Sequence, residues 1–118
     1  MALKLSTRDN NGVTIIDLSG RIVFGDESAM LRDKVKSLIP TNSRIILNLA
    51  QISYIDSGGI GTMVSLFTSA RAAGGDIKLA NLTKRVGDLL QITKLITVFE
   101  TYDNESQAIQ AFAQKAAS

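Results

Sequence analysis

Neither cysteine nor histidine occurs in the 118-residue sequence. Without cysteine there are no disulfides, thiolate metal sites or cysteine nucleophiles. Without histidine there is no Ser-His-Asp triad, no imidazole general base and no imidazole ligand for a transition metal. Most familiar enzyme designs are thereby excluded. Aromatic residues make up 5% of the chain, and the 13 basic residues outnumber the 11 acidic ones by only two, so the stacking platforms and dense basic stripe of a nucleic-acid binder are absent. No run nears the roughly 18 apolar residues of a membrane helix. The opening MALKLSTRDN turns polar too soon for a signal peptide. The expectation is a soluble cytoplasmic protein that makes no direct contact with nucleic acid, has no membrane span, and needs neither cofactor nor metal.

What is present is a composition, 45% hydrophobic and 20% charged with one proline, suited to one ordered domain over residues 1–118. Leu3 to Arg8 and Val13 to Leu18 read as strands joined by a hairpin turn at Asn10-Asn11-Gly12. Arg21 to Phe24 reads as a short edge strand ended by Gly25. Leu31, Val35 and Leu38 recur at helical spacing between Asp26 and Ile39, with Asp26 or Ser28 as the cap and Pro40 as the stop. Arg44 to Leu49 (RIILNL) reads as an interior strand covered on both faces, followed by a loop over residues 50–55. A second helix over Ser57 to Ala73 carries Ile60, Met63, Val64 and Phe67 and ends at Gly74-Gly75. Then come a buried strand, Ile77 to Ala80, and a short helix capped by Thr83 with Val86, Leu89 and Leu90 on its apolar face. A brief strand at Thr97 to Phe99 follows. A terminal helix opens with a capping box at Asn104 and Gln107 and carries Ile109, Phe112, Ala113 and Ala116. This order predicts an α/β fold, a mixed sheet of four to five strands that opens with a hairpin, and about four helices.

The stretch Ile55-Asp56-Ser57-Gly58-Gly59-Ile60-Gly61 lies where strand gives way to helix, and helix starts carry unpaired amides and favour negative charge. A nucleophile elbow would need glycine at Ile55 and a histidine; a Walker A loop would need a lysine. Two readings survive. Asp56 and Ser57 are good N-cap residues, and Gly58, Gly59 and Gly61 would let helix and sheet approach closely. Alternatively, Ser57 is a substrate, an exposed hydroxyl that accepts a phosphoryl group of charge about −1.5 to −2 from another protein. Tyr54 and Ile55 flank the corner and could form an apolar partner contact, although Tyr54 could equally close the sheet's edge. The basic group Thr83-Lys84-Arg85 with Lys94 reads as solvated surface or partner contact. Asp26-Glu27 complements the first helix's dipole.

The run RIILNLAQISYIDSGGIGTMVSLFTSARAAGGDIKLANLTKRVGDLLQITKL, Arg44 to Leu95, resembles the STAS domain of anti-sigma-factor antagonists. It shares with them a hydrophobic strand, an Asp-Ser-x-Gly-x-Gly corner and a helix ending in Gly-Gly. The resemblance implies a non-enzymatic binding protein that engages an anti-sigma factor and so frees a sigma factor. It implies that a GHKL-type serine kinase partner phosphorylates Ser57 and thereby releases the antagonist, and that a phosphatase reverses the modification. Tyr54, Asp56, Ser57, Gly58 and Gly59 would then form the partner-binding corner. The same family resemblance also admits a non-switching scaffold subunit of a stressosome-type or lipid-transport assembly. Two positions depart from the family pattern: Gly58 stands where many members have serine or threonine, and Val23 where many have aspartate.

Overall fold

In the computed structural model, which describes residues 3–117 and side chains as far as Ala113, Asn11 (φ 54°) and Gly12 (φ 79°) both adopt left-handed conformations. That is the requirement of a two-residue type I′ hairpin. It pairs β1 (Leu3–Asn10) antiparallel with β2 (Val13–Ile22). After α1 (Asp26–Leu38), β3 (Arg44–Ile55) joins β2 in parallel. Then α2 (Ser57–Ala72), β4 (Asp76–Ala80), α3 (Lys84–Ile92), β5 (Thr101–Tyr102) and α4 (Glu105–Ala117) complete the chain. The sheet order is β1-β2-β3-β4-β5, with parallel pairing throughout after the hairpin.

β3 is twice the length that its apolar run suggests. Asp17 and Ser19 of β2 pair with Asn48 and Gln51 of β3, and Gly20 and Arg21 pair with Ile52 and Tyr54. At each step β3 carries one residue more than its partner, as in a β-bulge. Its buried residues therefore run Leu47, Leu49, Ile52, Ile55, at intervals of two, three and three, and the alternation that marks a strand is lost. Residues 50–55 are strand, not loop. The supposed edge strand at Arg21 is likewise part of β2, an interior strand that continues through Gly20 (φ 112°), while Val23 and Phe24 lie in the turn beyond it.

Other corrections are local. The cap of α1 is Gly25, with no side-chain hydrogen bond; neither Asp26 nor Ser28 fills that role, and the Ser28 hydroxyl donates to the Val23 carbonyl instead at 2.7 Å. Thr97 begins no strand: Leu95–Thr97 is a 3-10 turn, entered through left-handed Lys94 (φ 66°). Phe99 turns into the core, edge-on to Phe67 at 5.1 Å. The last strand, Thr101–Tyr102, begins two residues after Phe99. The expected caps of α3 and α4 are present: Thr83 Oγ1 accepts from Val86 N at 3.2 Å, and Asn104 Oδ1 from Gln107 N at 2.9 Å. On α4, Ala108 joins Ile109 and Phe112 in the core, Ala113 is exposed, and the side chain of Ala116 lies outside those described.

Helices α1, α2 and α3 cover one face of the sheet through Leu31, Val35, Met63, Leu66, Val86 and Leu90, packed on Ile16, Ile45, Leu47 and Ile77. α4 covers the other through Ile109 and Phe112 on Val13, Ile15 and Ile46. The α4 side also holds charge. Arg8 on β1 bridges Asp17 on β2 and Glu105 on α4, and its guanidinium holds the Asp17 carboxyl below the usual carboxylate range. Lys78 is fully buried, bonded to Asp76 at 3.0 Å and to Glu100, with Nζ 4.6 Å from the Phe112 ring centre. A buried ammonium of this kind is held only because carboxylates meet it. Burial, and then Glu100, push the Tyr102 hydroxyl up to about 12.

Lys78→Met keeps the apolar stem and deletes the charge that faces Asp76, so it should lower stability by about 3 kcal/mol. Urea denaturation checks this as a reduced midpoint at unchanged slope.

Candidate functional site

β3 ends at Ile55, which is buried and therefore unavailable as a partner contact. The next residue, Asp56, leaves strand geometry (φ −95°, ψ −177°) and caps α2. Its carboxylate serves two elements at once. Oδ1 accepts from Gly59 N at 2.8 Å, in the first turn of α2, and both oxygens accept from Phe24 N at 3.1 Å, in the turn between β2 and α1. The backbone adds Asp56 N to Ile22 O at 3.2 Å. These amides, Gly59 first and then Phe24, hold the Asp56 carboxyl below its ordinary range. With its lone pairs engaged and its basicity reduced, Asp56 organises the corner rather than taking up protons.

The two glycines after Ser57 have different neighbours. A Cβ on Gly59 would lie 2.0 Å from the Ile22 carbonyl oxygen, so α2 starts directly against the end of β2 and only glycine fits. A Cβ on Gly58 would lie 2.6 Å from Phe24 Cβ. Gly61 meets nothing within 4 Å and is exposed, so the close packing expected there is absent.

Ser57 is exposed at the first position of α2. Capping has fallen to Asp56 and close approach to Gly59, and among the described residues the Ser57 hydroxyl makes no hydrogen bond. It is free to react or to bind.

Asp56, Ser57, Gly58 and Gly59 thus form one corner, but Tyr54 is separate from it. Paired with Arg21 and 43% exposed, Tyr54 lines a cavity of about 520 Å³ with Lys84, Arg85, Leu89 and Ile92, next to α3. The corner instead borders a groove of about 440 Å³ between α1 and α2, where Phe24, Arg32, Gly58, Gly61 and Thr62 meet. Phe24, 81% exposed, is the residue that sequence reasoning passed over, having placed it at a strand end. The signal for it was slight, because Phe24 closes the apolar run Ile22-Val23-Phe24 just before Gly25-Asp26-Glu27-Ser28 and so reads as a strand residue. Val23 supplies the carbonyl that receives Ser28.

The STAS domain family model matches residues 4–108. The chain is 27% identical over 111 residues to the anti-sigma-B factor antagonist of Bacillus subtilis, covering 93% of this chain and all of that protein. Among solved structures, the fold is similar to an anti-sigma-factor antagonist (STAS) domain protein from Planctomyces limnophilus, with TM-score 0.80 at 17% identity, over 92% of this chain and 97% of that one. It is also similar to the Bacillus cell fate determinant SpoIIAA in its phosphorylated form, with TM-score 0.69 at 22% identity, over 94% and 99%.

Two consequences of the geometry can be measured. Gly59→Ala should destabilise the fold by about 1–3 kcal/mol through collision with the Ile22 carbonyl. Gly87→Ala, in the open interior of α3, should stabilise it by about 0.5–1 kcal/mol; thermal melts of the two variants compare the signs. Because the Asp56 carboxyl is depressed in the folded chain, its contribution is present above the ordinary aspartate range near pH 4 and is lost as pH falls through the folded value. Asp56→Asn should therefore reduce stability at neutral pH and flatten the acid limb of the stability profile, read by urea titrations at several pH values.

Proposed function

The chain belongs to the STAS domain family, and from that premise we propose that it is an anti-sigma-factor antagonist switched by phosphorylation of Ser57. In this reading it is a regulatory binding protein of the cytoplasm. The unmodified form binds an anti-sigma factor that is also a GHKL-type serine kinase, and so frees a sigma factor. The kinase then modifies Ser57 and lets go, and a phosphatase restores the hydroxyl.

The observation that carries this proposal is the division of labour at the corner. A serine at a helix start would ordinarily be explained by capping, yet Asp56 caps α2 and the Ser57 hydroxyl is exposed and unbonded. This favours a role for Ser57 outside the fold over the helix-cap role that the scaffold alternative gives it. The names of the relatives, and the existence of SpoIIAA in a phosphorylated form, support the same reading.

The chemistry asked of this chain is small. Ser57 Oγ would attack the γ-phosphorus of ATP held by the kinase, a new P–O bond forming as the bond to the β-phosphate oxygen breaks and ADP leaves. The hydroxyl proton passes to a base on the kinase, since Asp56 is occupied by two amides. The product places a charge of about −1.5 to −2 beside the Asp56 carboxylate, on a surface that previously offered a neutral hydroxyl. A partner face matched to the hydroxyl would have to desolvate that charge or withdraw.

Purified protein incubated with ATP·Mg and each GHKL-type serine kinase of the source organism should gain one phosphate at Ser57, located by mass spectrometry. Ser57→Ala should gain none while its stability stays within about 0.5 kcal/mol of wild type. Phosphate on another residue, or on none, contradicts the proposal, and a large loss of stability in Ser57→Ala would return Ser57 to a structural role.

A further inference from the structure

Phe24 and Gly58 meet in one place. Phe24 is the most exposed large apolar side chain among the described residues, at 81%, and it stands beside the Ser57 corner instead of in a remote loop. Its backbone is held, and Gly58 leaves the room that it occupies. Its amide is held by both oxygens of Asp56, the residue that also caps the helix bearing Ser57. Its Cα, Cβ and Cδ1 lie 2.9, 2.6 and 3.0 Å from where a Cβ on residue 58 would be. Any residue but glycine at 58 would push the ring and its turn away. The backbone of Phe24 is thus held next to the Ser57 corner, and the ring stands out from it into solvent.

We propose that Phe24 is the apolar anchor by which the kinase that modifies Ser57 selects this chain, and that Gly58 is the seat that holds the ring at a fixed place beside the hydroxyl. The proposal rests on the reading of Ser57 as a phosphoacceptor. Buried aromatic anchors carry a disproportionate share of interface energy, and a pre-positioned ring loses little entropy on docking. The partner implied is a kinase with a small apolar pocket beside its γ-phosphate. It would discriminate against chains with a hydroxyl-bearing residue at position 58, because such chains cannot seat a ring there.

The test is a double-mutant cycle in phosphorylation kinetics, using the GHKL-type kinase that labels wild-type Ser57. Phe24→Ala should lower kcat/KM on the order of 30-fold, mainly through KM, while melting temperature is unchanged. Gly58→Ser should lower it comparably by displacing the ring. The double variant should have a kcat/KM little below that of Phe24→Ala: a serine at position 58 still crowds the Cα and Cβ of residue 24, which a melting curve reads as lost stability, but no ring is left for the kinase to lose. In the free protein, NMR should show the Gly58 Hα protons shifted by the Phe24 ring and the shift abolished in Phe24→Ala. Unchanged kcat/KM in Phe24→Ala, with Ser57 still labelled, overturns the anchor alone; additive effects in the cycle or no ring-current shift overturn the seat. Failure of every kinase to label wild-type Ser57 overturns this inference together with the phosphoacceptor reading beneath it.

Discussion

The corner around Ser57 depends on the contact between the first turn of α2 and the end of β2. The Ile22 carbonyl points at Gly59, leaving no room for a side chain, and the same carbonyl accepts from the Asp56 amide. Asp56 then turns its carboxylate to the amides of Gly59 and Phe24. One residue thereby fastens a strand end, a helix start and the following turn into a single piece. Ser57 projects from that piece without contributing a hydrogen bond to it. A phosphoryl group placed there would change the surface charge while leaving the fold intact, because nothing in the core uses the hydroxyl.

The rest of the molecule supports this corner at a distance. The two bulges in β3 keep Ile52 and Ile55 in the core as the strand runs on past the ordinary length of its apolar run, which brings Asp56 level with the exit from β2. On the opposite face the Arg8–Asp17–Glu105 cluster ties α4 to the hairpin, and the Asp76–Lys78–Glu100 cluster lies beneath α4 with the Lys78 ammonium against Phe112. That face carries buried charge, and its polar residues are spent on each other. The corner's polar residues, by contrast, are arranged so that backbone amides consume the acid and leave the hydroxyl outside.

Much of this could be read from residues alone, because hairpin turn, helix caps and apolar periodicity are local signals. Asn11-Gly12, Thr83, Asn104 with Gln107, and the Met63 face of α2 all express their chemistry within a few residues. The failures share a different cause. The buried residues of β3 are spaced by its pairing with β2, so residues 50–55 look like loop until the partner strand is known. Phe99 is placed by Phe67, more than thirty residues away, and its neighbours Thr97 and Val98 mimic a strand. Within the site, Asp56, Ser57, Gly58 and Gly59 were legible as one helix-start motif. Tyr54 was grouped with them by proximity in sequence, but two residues of strand carry it toward α3. Phe24 was missed because its relation to Gly58 is one of space across thirty-four positions.

If Ser57 is a switch for partner binding and not a helix cap, the two states of the same protein must differ in affinity for the partner. Unmodified chain and chain carrying phosphoserine at position 57, installed during translation, are titrated calorimetrically against the kinase that labels the site, with ADP bound. The unmodified chain should associate tightly and the phosphorylated one at least tenfold more weakly, with both forms equally folded. Equal affinity in the two states would contradict the switch.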